Sequence, residues 1–149
     1  MKTKPFQFAA LTFLVLIGVI YWRATVRELS PEEKVRVAID AMVEGAERRE
    51  LDPFEEYLSD AIKDQAGQGK QEILHHLRIL FLRHREIHLS IRALEIEGTG
   101  QQTRSAKMYL LMSSTLIPQN EGLYNLTFQN ENGEWRLWQM DWGEGYGVE

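Results

Sequence analysis

The side chain best suited to acid–base chemistry is Asp141, which lies in a tryptophan-rich stretch near the end of the 149-residue sequence. If that stretch is a strand, alternate residues share a face, and Asp141 lies beside Trp135 and Gln139. A carboxyl group among indole rings can act as a general acid or base, because a dry environment favours its protonated form. The alternative is a strand-end aspartate that meets water or a backbone amide.

Two tyrosines, Tyr109 and Tyr124, fall in other predicted strands and can supply hydroxyl donors to a ligand. A strand tyrosine also commonly packs its ring and leaves its hydroxyl in water, and this simpler interpretation stays open. Together with Trp135 and Gln139, the two tyrosines form the set that we predict to line a pocket.

Two histidines, His84 and His88, have the i, i+4 spacing of a helical metal-binding pair. Strand alternation begins at Ile87, however, so His88 is expected to lie outside the helix, and no motif supplies a third ligand. The sequence contains no cysteine, which excludes disulfides, thiolate zinc sites and cysteine nucleophiles. We therefore predict neither a metal nor a cofactor.

Charge is divided unevenly along the chain. Four basic residues precede every acidic one, so the chain beyond Arg27 carries 13 basic and 22 acidic side chains. A surface this acidic repels phosphate backbones, so nucleic acid is not an expected partner. Simple solubility explains the same excess of acidic residues.

The amino-terminal residues form a basic tail followed by an uncharged apolar run at 6–22. A helix of that length spans about 26 Å, the short end of the range for a bilayer core. Tyr21 and Trp22 stand where an interfacial aromatic belt would lie. We predict a membrane anchor over residues 1–27 and an extracytoplasmic domain over 28–149, which is periplasmic in a Gram-negative cell. Secretion after signal-peptide cleavage is the alternative, although no small-x-small cleavage site follows the run.

Three helix patterns open the domain. Ser30 can cap the first helix and Glu33 can complete a capping box, with apolar residues recurring at helical spacing behind them. A second start signal at Asp52 leads a shorter helix that we predict to continue through Ile62. The third helix is predicted over about 70–85.

About four antiparallel strands are predicted to follow. The alternation slips by one residue near Ala93, which indicates a bulge. The strongest signal is a hairpin around Asn-Gly at 132–133, because glycine supplies the positive φ that closes such turns. The last strand carries apolar residues on both faces, so a second subunit or partner is predicted to cover Trp138, Met140 and Trp142. Coverage by the tail of the same chain is the alternative.

Three short motifs carry a resemblance to a known superfamily: Leu-Ser-Asp-Ala at 58–61, Gly-Lys-Gln-Glu-Ile at 69–73 and Asn-Gly-Glu-Trp-Arg-Leu at 132–137. In this order, the region 30–142 resembles the nuclear transport factor 2-like proteins, which include the SnoaL-like and ketosteroid-isomerase-like families. The resemblance implies a cone-like α+β fold, with three helices on a curved antiparallel sheet. It also implies a pocket on the concave side of the sheet and frequent dimers through the convex side. The Arg-Arg-Glu-Leu connection at 48–51 departs from the short Gly-Asp turn of many relatives.

Such a fold does not fix a function. We favour a membrane-anchored domain that binds a small apolar ligand or a partner protein without catalysis, since no recognisable catalytic constellation is present. The second hypothesis is an isomerase or dehydratase that uses Asp141 with a tyrosine. The third is a structural subunit of an envelope complex, assembled through the aromatic sheet face as a homodimer or with an envelope protein.

Overall fold

In a computed structural model, which describes residues 12, 14–22, 27–114 and 120–142, helices pack on one face of a curved sheet. The helices are α1 (Pro31–Arg48), α2 (Asp52–Tyr57) and α3 (Lys70–Arg83). The strands are β1 (Leu58–Asp64), β2 (Ile87–Gly98), β3 (Thr103–Ser114), β4 (Asn120–Glu131) and β5 (Glu134–Trp142). The architecture is therefore the predicted α+β type.

The first helix begins with the capping box that the sequence predicts. The Glu33 amide donates to Ser30 Oγ at 3.2 Å, and the Ser30 amide donates to Glu33 Oε2 at 2.7 Å. Both donors would otherwise lack a partner at the helix end. The helix ends at Arg49, whose φ of 60° is left-handed and turns the chain towards α2.

The second helix is shorter than predicted, and the residues that it lacks form an additional strand. Because α2 ends at Tyr57 and β1 follows directly, the prediction of helix through Ile62 was wrong. Leu58 and Ile62 are both buried in β1. Residues four positions apart share a face in a strand as well as in a helix, so this spacing does not distinguish the two.

The sheet formed by the described residues has five strands, in the order β1-β5-β4-β3-β2, and not the predicted four. β1 runs parallel to β5, with Leu58 opposite Leu137, whereas the other neighbouring strands are antiparallel. The sheet is thus mixed, which corrects the prediction of a purely antiparallel one. The long connection between β1 and β5 makes parallel pairing possible, because no hairpin constrains their directions.

The hairpin and the bulge in β2 are both confirmed. Asn132 and Gly133 have φ values of 56° and 90°, so two positive-φ residues close a turn that matches the twist of β4 and β5. In β2 the pairing with β3 shifts between Ile91 and Ala93. These turns and bulges bend the sheet around the helical layer.

The hydrophobic core lies between the helices and the inner face of the sheet. Phe128 is fully buried at the centre of β4, and α1 packs Val35, Ala38 and Ile39 onto the same layer. Helical spacing in α1 and period-two spacing in β4 place these apolar residues on one side of each element. The core therefore follows directly from the two periodicities.

The predicted anchor lies partly outside the described residues. Residues 14–22 are helical, and large apolar side chains there are exposed, from 47% at Ile17 to 73% at Tyr21. In the described part of the chain, no helix is both long enough and apolar enough to cross a membrane. Residues 1–11, 13 and 23–26 of the predicted anchor are not among those described.

Candidate functional site

A cavity of about 220 Å³ lies between the three helices and the inner face of the sheet. Met42 and Ala46 of α1 and Leu77 of α3 line its helical side, and Met108 and Leu137 line its sheet side. Its position matches the pocket that the resemblance implies. The helices reach it because each buries one apolar stripe against the same sheet face.

The chemistry of the cavity is almost wholly apolar. Among the described residues that line it, Tyr124 is the only one whose side chain carries a nitrogen or oxygen atom. Four of the five methionines of the chain also line it; these are Met42, Met108, Met112 and Met140. Methionine is unbranched and polarizable, so a wall rich in it can adapt to ligands of different shape.

A second bulge, which sequence reasoning missed, decides where Asp141 lies. Opposite β4, the pairing of β5 passes from Leu137 directly to Gln139, so Trp138 is the additional residue. Because of that residue, Gln139 and Asp141 lie on the opposite face from Trp135 and not on the same one. The Gln139 amide donates to Asp141 Oδ2 at 2.9 Å, and both side chains are half-buried on the outer face.

The four residues predicted to line a pocket are separated by the fold. Tyr124 lines the cavity, whereas Tyr109 is 51% exposed on the outer face of β3. Trp135 is buried in the core, with the Arg104 guanidinium 5.1 Å from its ring centroid. Gln139 is on the outer face, so the structure brings only Tyr124 to the cavity.

The three residues predicted as an interface do not form one surface either. Met140 points inwards and lines the cavity, because the bulge restores it to the face of Leu137. Trp138 is 36% exposed at the bulge, and Trp142 is 37% exposed at the end of β5. The Trp142 amide donates to Gln65 Oε1 at 3.0 Å, which ties the strand end to the loop after β1.

The histidine pair is divided between two elements, as the sequence predicts. His84 follows α3 and is buried, with Nδ1 3.0 Å from Ser114 Oγ, whereas His88 is exposed in β2. Among the described residues, no three potential ligands are grouped so that they could hold a metal ion.

A polar network that sequence reasoning missed joins β1 to the hairpin. The buried Ser59 hydroxyl donates to the Glu131 carboxylate, and Arg136 lies between Glu131 at 3.6 Å and Glu134 at 2.6 Å. Ser59 and Glu131 are 72 residues apart, and no local pattern connects them. The network lies outside the cavity and fixes the β1 edge to the turn of the hairpin.

Two shifted pKa values belong to residues near this edge. Burial raises the pKa of the Tyr57 hydroxyl, and the charges of Glu56 and Glu134 raise it further. Lys70 Nζ donates to Asp60 Oδ1 at 3.0 Å and lowers the pKa of that carboxyl. Neither residue lines the cavity, so these shifts serve local structure.

Comparison with known proteins places the fold. No model of a known protein family matches the sequence, and no curated protein sequence does. Solved structures do match. A nuclear transport factor 2-like protein of unknown function from Pseudomonas putida aligns with a TM-score of 0.67 and 16% identity, covering 79% of this chain and 89% of that one. The chain has the nuclear transport factor 2-like fold.

One further structure carries the same description, and another aligns equally well. A nuclear transport factor 2-like superfamily protein from Salmonella enterica aligns with a TM-score of 0.64 and 11% identity, covering 79% of this chain and 96% of that one. A protein from Bdellovibrio bacteriovorus aligns with a TM-score of 0.67 and 10% identity over 76% of this chain. The chain spans 40% of the length of the Bdellovibrio protein. The TM-scores show a shared fold. Because the identities are this low, the comparison does not establish a function, which has to be argued from the site.

Proposed function

We propose that this protein is a non-catalytic binding domain that holds a small apolar ligand in the cavity between its helices and the sheet. The observation that carries the proposal is the cavity lining, apolar apart from the one hydroxyl of Tyr124. Removal of apolar ligand surface from water supplies the affinity. An apolar cavity of about 150 Å³ is known to bind benzene, so about 220 Å³ is enough for a small ligand.

The placement of Asp141 favours binding over the isomerase or dehydratase hypothesis. A general acid or base must lie within hydrogen-bond reach of the proton that it transfers. Asp141 lies on the opposite sheet face from the cavity, and its carboxylate accepts a hydrogen bond from Gln139. Among the described residues that line the cavity, Tyr124 supplies a single hydroxyl group, without a second acid or base beside it.

Binding can be tested with 1-octanol as the probe and with methionine methyl groups as reporters. The full chain, labelled with ¹³C at the methionine methyls and kept soluble in an amphipathic polymer, is titrated with 1-octanol. We expect saturable NMR shifts of the cavity methionines. Ala46→Phe, which fills the cavity, should weaken binding at least tenfold, whereas Ala93→Phe on the outer face should leave it unchanged. Absence of saturable shifts, or equal binding by both variants, would overturn the proposal.

The enzyme hypothesis has its own test in Asp141→Asn. We expect this variant to bind 1-octanol as the unmodified chain does, because residue 141 faces away from the cavity. If Asp141→Asn lost 1-octanol binding or the octanol-dependent NMR shifts, the Asp141 carboxylate would be part of the site, contrary to the proposal. Gln139→Ala is the matched control, since it removes the partner amide on the same face.

The proposed location is a membrane, with the chain tethered by its amino-terminal segment and the domain outside the cytoplasm. Exposed apolar side chains along 14–22 support the tether, because bulk water is an unfavourable environment for them. Carbonate washing of membranes from cells that express the full chain should leave the protein in the pellet. Quantitative release into the soluble fraction would contradict the tether.

A further inference from the structure

A groove of about 280 Å³ lies on the surface between the end of α1 and α3, beside the cavity. Arg48, Arg49 and Arg78 stand around it, and Phe81 and Leu82 form its apolar part together with Leu51. These arginines are part of a chain with a net charge of −5, so their concentration at one place is not a general property of the surface.

Two of the three arginines form no ion pair within the described residues. Arg48 forms an ion pair with Glu44 one turn earlier in α1. Within the parts of the chain that the structure describes, neither Arg49 nor Arg78 has a hydrogen-bond or ion-pair partner for its guanidinium group. Arginine presents several N–H donors in a planar fork that matches a carboxylate. The groove therefore presents two guanidinium groups that can bind a carboxylate, next to an apolar surface.

The groove and the cavity adjoin each other through a pair of aromatic rings. Phe81 lines the groove, Phe54 lines the cavity, and their ring centroids are 6.2 Å apart with an angle of 54° between the planes. Successive positions of α3 also divide between the two spaces, since Leu77 and Leu80 line the cavity while Arg78 lines the groove. The two spaces therefore lie on either side of one layer, formed by the two aromatic rings and by α3.

We propose that the ligand is a single-chain fatty carboxylate, with its acyl chain in the methionine-lined cavity and its carboxylate bound by Arg49 and Arg78. The inference rests on the proposed function and names the chemical class of the ligand. The acyl chain passes beside the Phe54–Phe81 pair, and burial of its methylenes supplies most of the affinity. The carboxylate at the groove accepts charge-assisted hydrogen bonds, which select an acid over the matching alcohol.

The test compares octanoate with 1-octanol on the full chain, with the methionine methyl shifts as the measurement. Octanoate is expected to bind at least tenfold more tightly than 1-octanol. In the double variant Arg49→Gln/Arg78→Gln, octanoate should weaken at least tenfold while 1-octanol changes less than twofold. The matched control is Arg36→Gln/Arg92→Gln, two exposed arginines that line neither space, and it should leave both affinities unchanged. Decanoate should bind about fourfold more tightly per added methylene as long as the cavity accepts the longer chain.

The outcomes separate this inference from the proposed function. If 1-octanol binds in the cavity but octanoate is no tighter, or is insensitive to the Arg49→Gln/Arg78→Gln change, the carboxylate assignment is wrong and the apolar site remains. If neither probe binds saturably, the binding function itself is wrong, and the inference fails with it. Partial restoration of octanoate affinity by Arg49→Lys/Arg78→Lys would support a charge-based contact. If the arginines had only a structural role, their replacement would weaken the binding of octanoate and of 1-octanol equally, which would overturn the carboxylate assignment.

Discussion

The two faces of the sheet carry side chains of very different polarity, although the residues on one face are the sequence neighbours of those on the other. One row across the outer face is Glu95, Lys107, Asn125 and Asp141. The adjacent row on the inner face is Ile96, Ala106, Leu126 and Met140. Because side chains alternate along a strand, a shift of one position exchanges this polar surface for the apolar core and the cavity wall. Register therefore determines which residues line the cavity as strongly as composition does.

The bulge at Trp138 is what keeps this separation intact in β5. Before the bulge, Leu137 faces the cavity; after it, Met140 does, and Asp141 remains outside. If β5 kept all its residues and paired with β4 without a bulge, the carboxylate would face inwards and the methionine outwards. The comparison between the faces can be tested by removing apolar volume, by shifting the register of β5, and by disturbing the helices that cover the inner face.

The largest effect is expected from Phe128→Ala, which truncates the largest fully buried side chain among the described residues. Phe128 is 0% exposed, so truncation should reduce the free energy of unfolding by about 3–5 kcal/mol. The control is Thr127→Ala, the next residue along β4 but on the outer face, with an expected change within about 0.5 kcal/mol. Urea denaturation of both variants measures the difference, and equal losses would mean that the two faces are not distinct in energy.

Insertion of one alanine between Gln139 and Met140 should have the next largest effect, because it shifts the end of β5 by one position. Met140 would then face outwards and Asp141 would face the apolar cavity, where burial of a polar group without a partner costs about 1–3 kcal/mol. We expect a loss of at least about 2 kcal/mol by urea denaturation. The control is deletion of Trp138, which removes the bulge but leaves Gln139 and Asp141 on the outer face, because the remaining residues then alternate regularly. If the deletion is as harmful as the insertion, the loss does not come from the face to which Asp141 points.

Sequence reasoning reached the fold and missed the register. The capping box at Ser30, the Asn132-Gly133 hairpin and the bulge before Ala93 are local signals, and all three are present. The pattern predicts helix where β1 lies, because residues four apart, such as Leu58 and Ile62, share a face in a helix and in a strand alike. The error is physical: short apolar runs are ambiguous until tertiary pairing decides between a strand and a helix.

The candidate site shows the same limit in a different way. A period-two pattern placed Asp141 beside Trp135, and a single additional residue in β5 reversed that placement. The apolar groups of the cavity were visible as core residues, but nothing local identifies which core residues leave a space between them. The groove arginines Arg48 and Arg49 were visible only as a departure from the turn of many relatives, and Arg78 joins them through tertiary packing.

A smaller effect is expected from Gly45→Ala, which disturbs the contact between α1 and α2 above the inner face. A Cβ atom at Gly45 would lie 2.8 Å from Pro53 Cγ, in a rigid ring, and 3.3 Å from the Glu50 carbonyl oxygen. The steric cost of about 1–3 kcal/mol exceeds the gain in helix propensity of up to about 1 kcal/mol. We expect a net loss of about 1 kcal/mol by thermal or urea unfolding, and weaker 1-octanol binding because α2 carries Phe54. Gly98→Ala is the control, since its Cβ would meet Arg104 only at ordinary contact distance.

The smallest effect concerns the pH dependence of the start of α1. The Ser30 amide donates to the Glu33 carboxylate, and this bond, the Ser30 hydroxyl and the charge of Arg27 lower the pKa of Glu33. A carboxyl group with a lowered folded-state pKa stabilises the fold above its unfolded pKa, and this stabilisation is lost as the pH falls through the folded value. Glu33→Gln should therefore be less stable than the unmodified chain at neutral pH and should approach it in acid. Glu28→Gln, with a side chain outside the capping box, should show no such convergence. If the stability difference between Glu33→Gln and the unmodified chain stayed constant from neutral pH to pH 3, the charge of Glu33 would contribute nothing to the stability of α1, which lines the cavity.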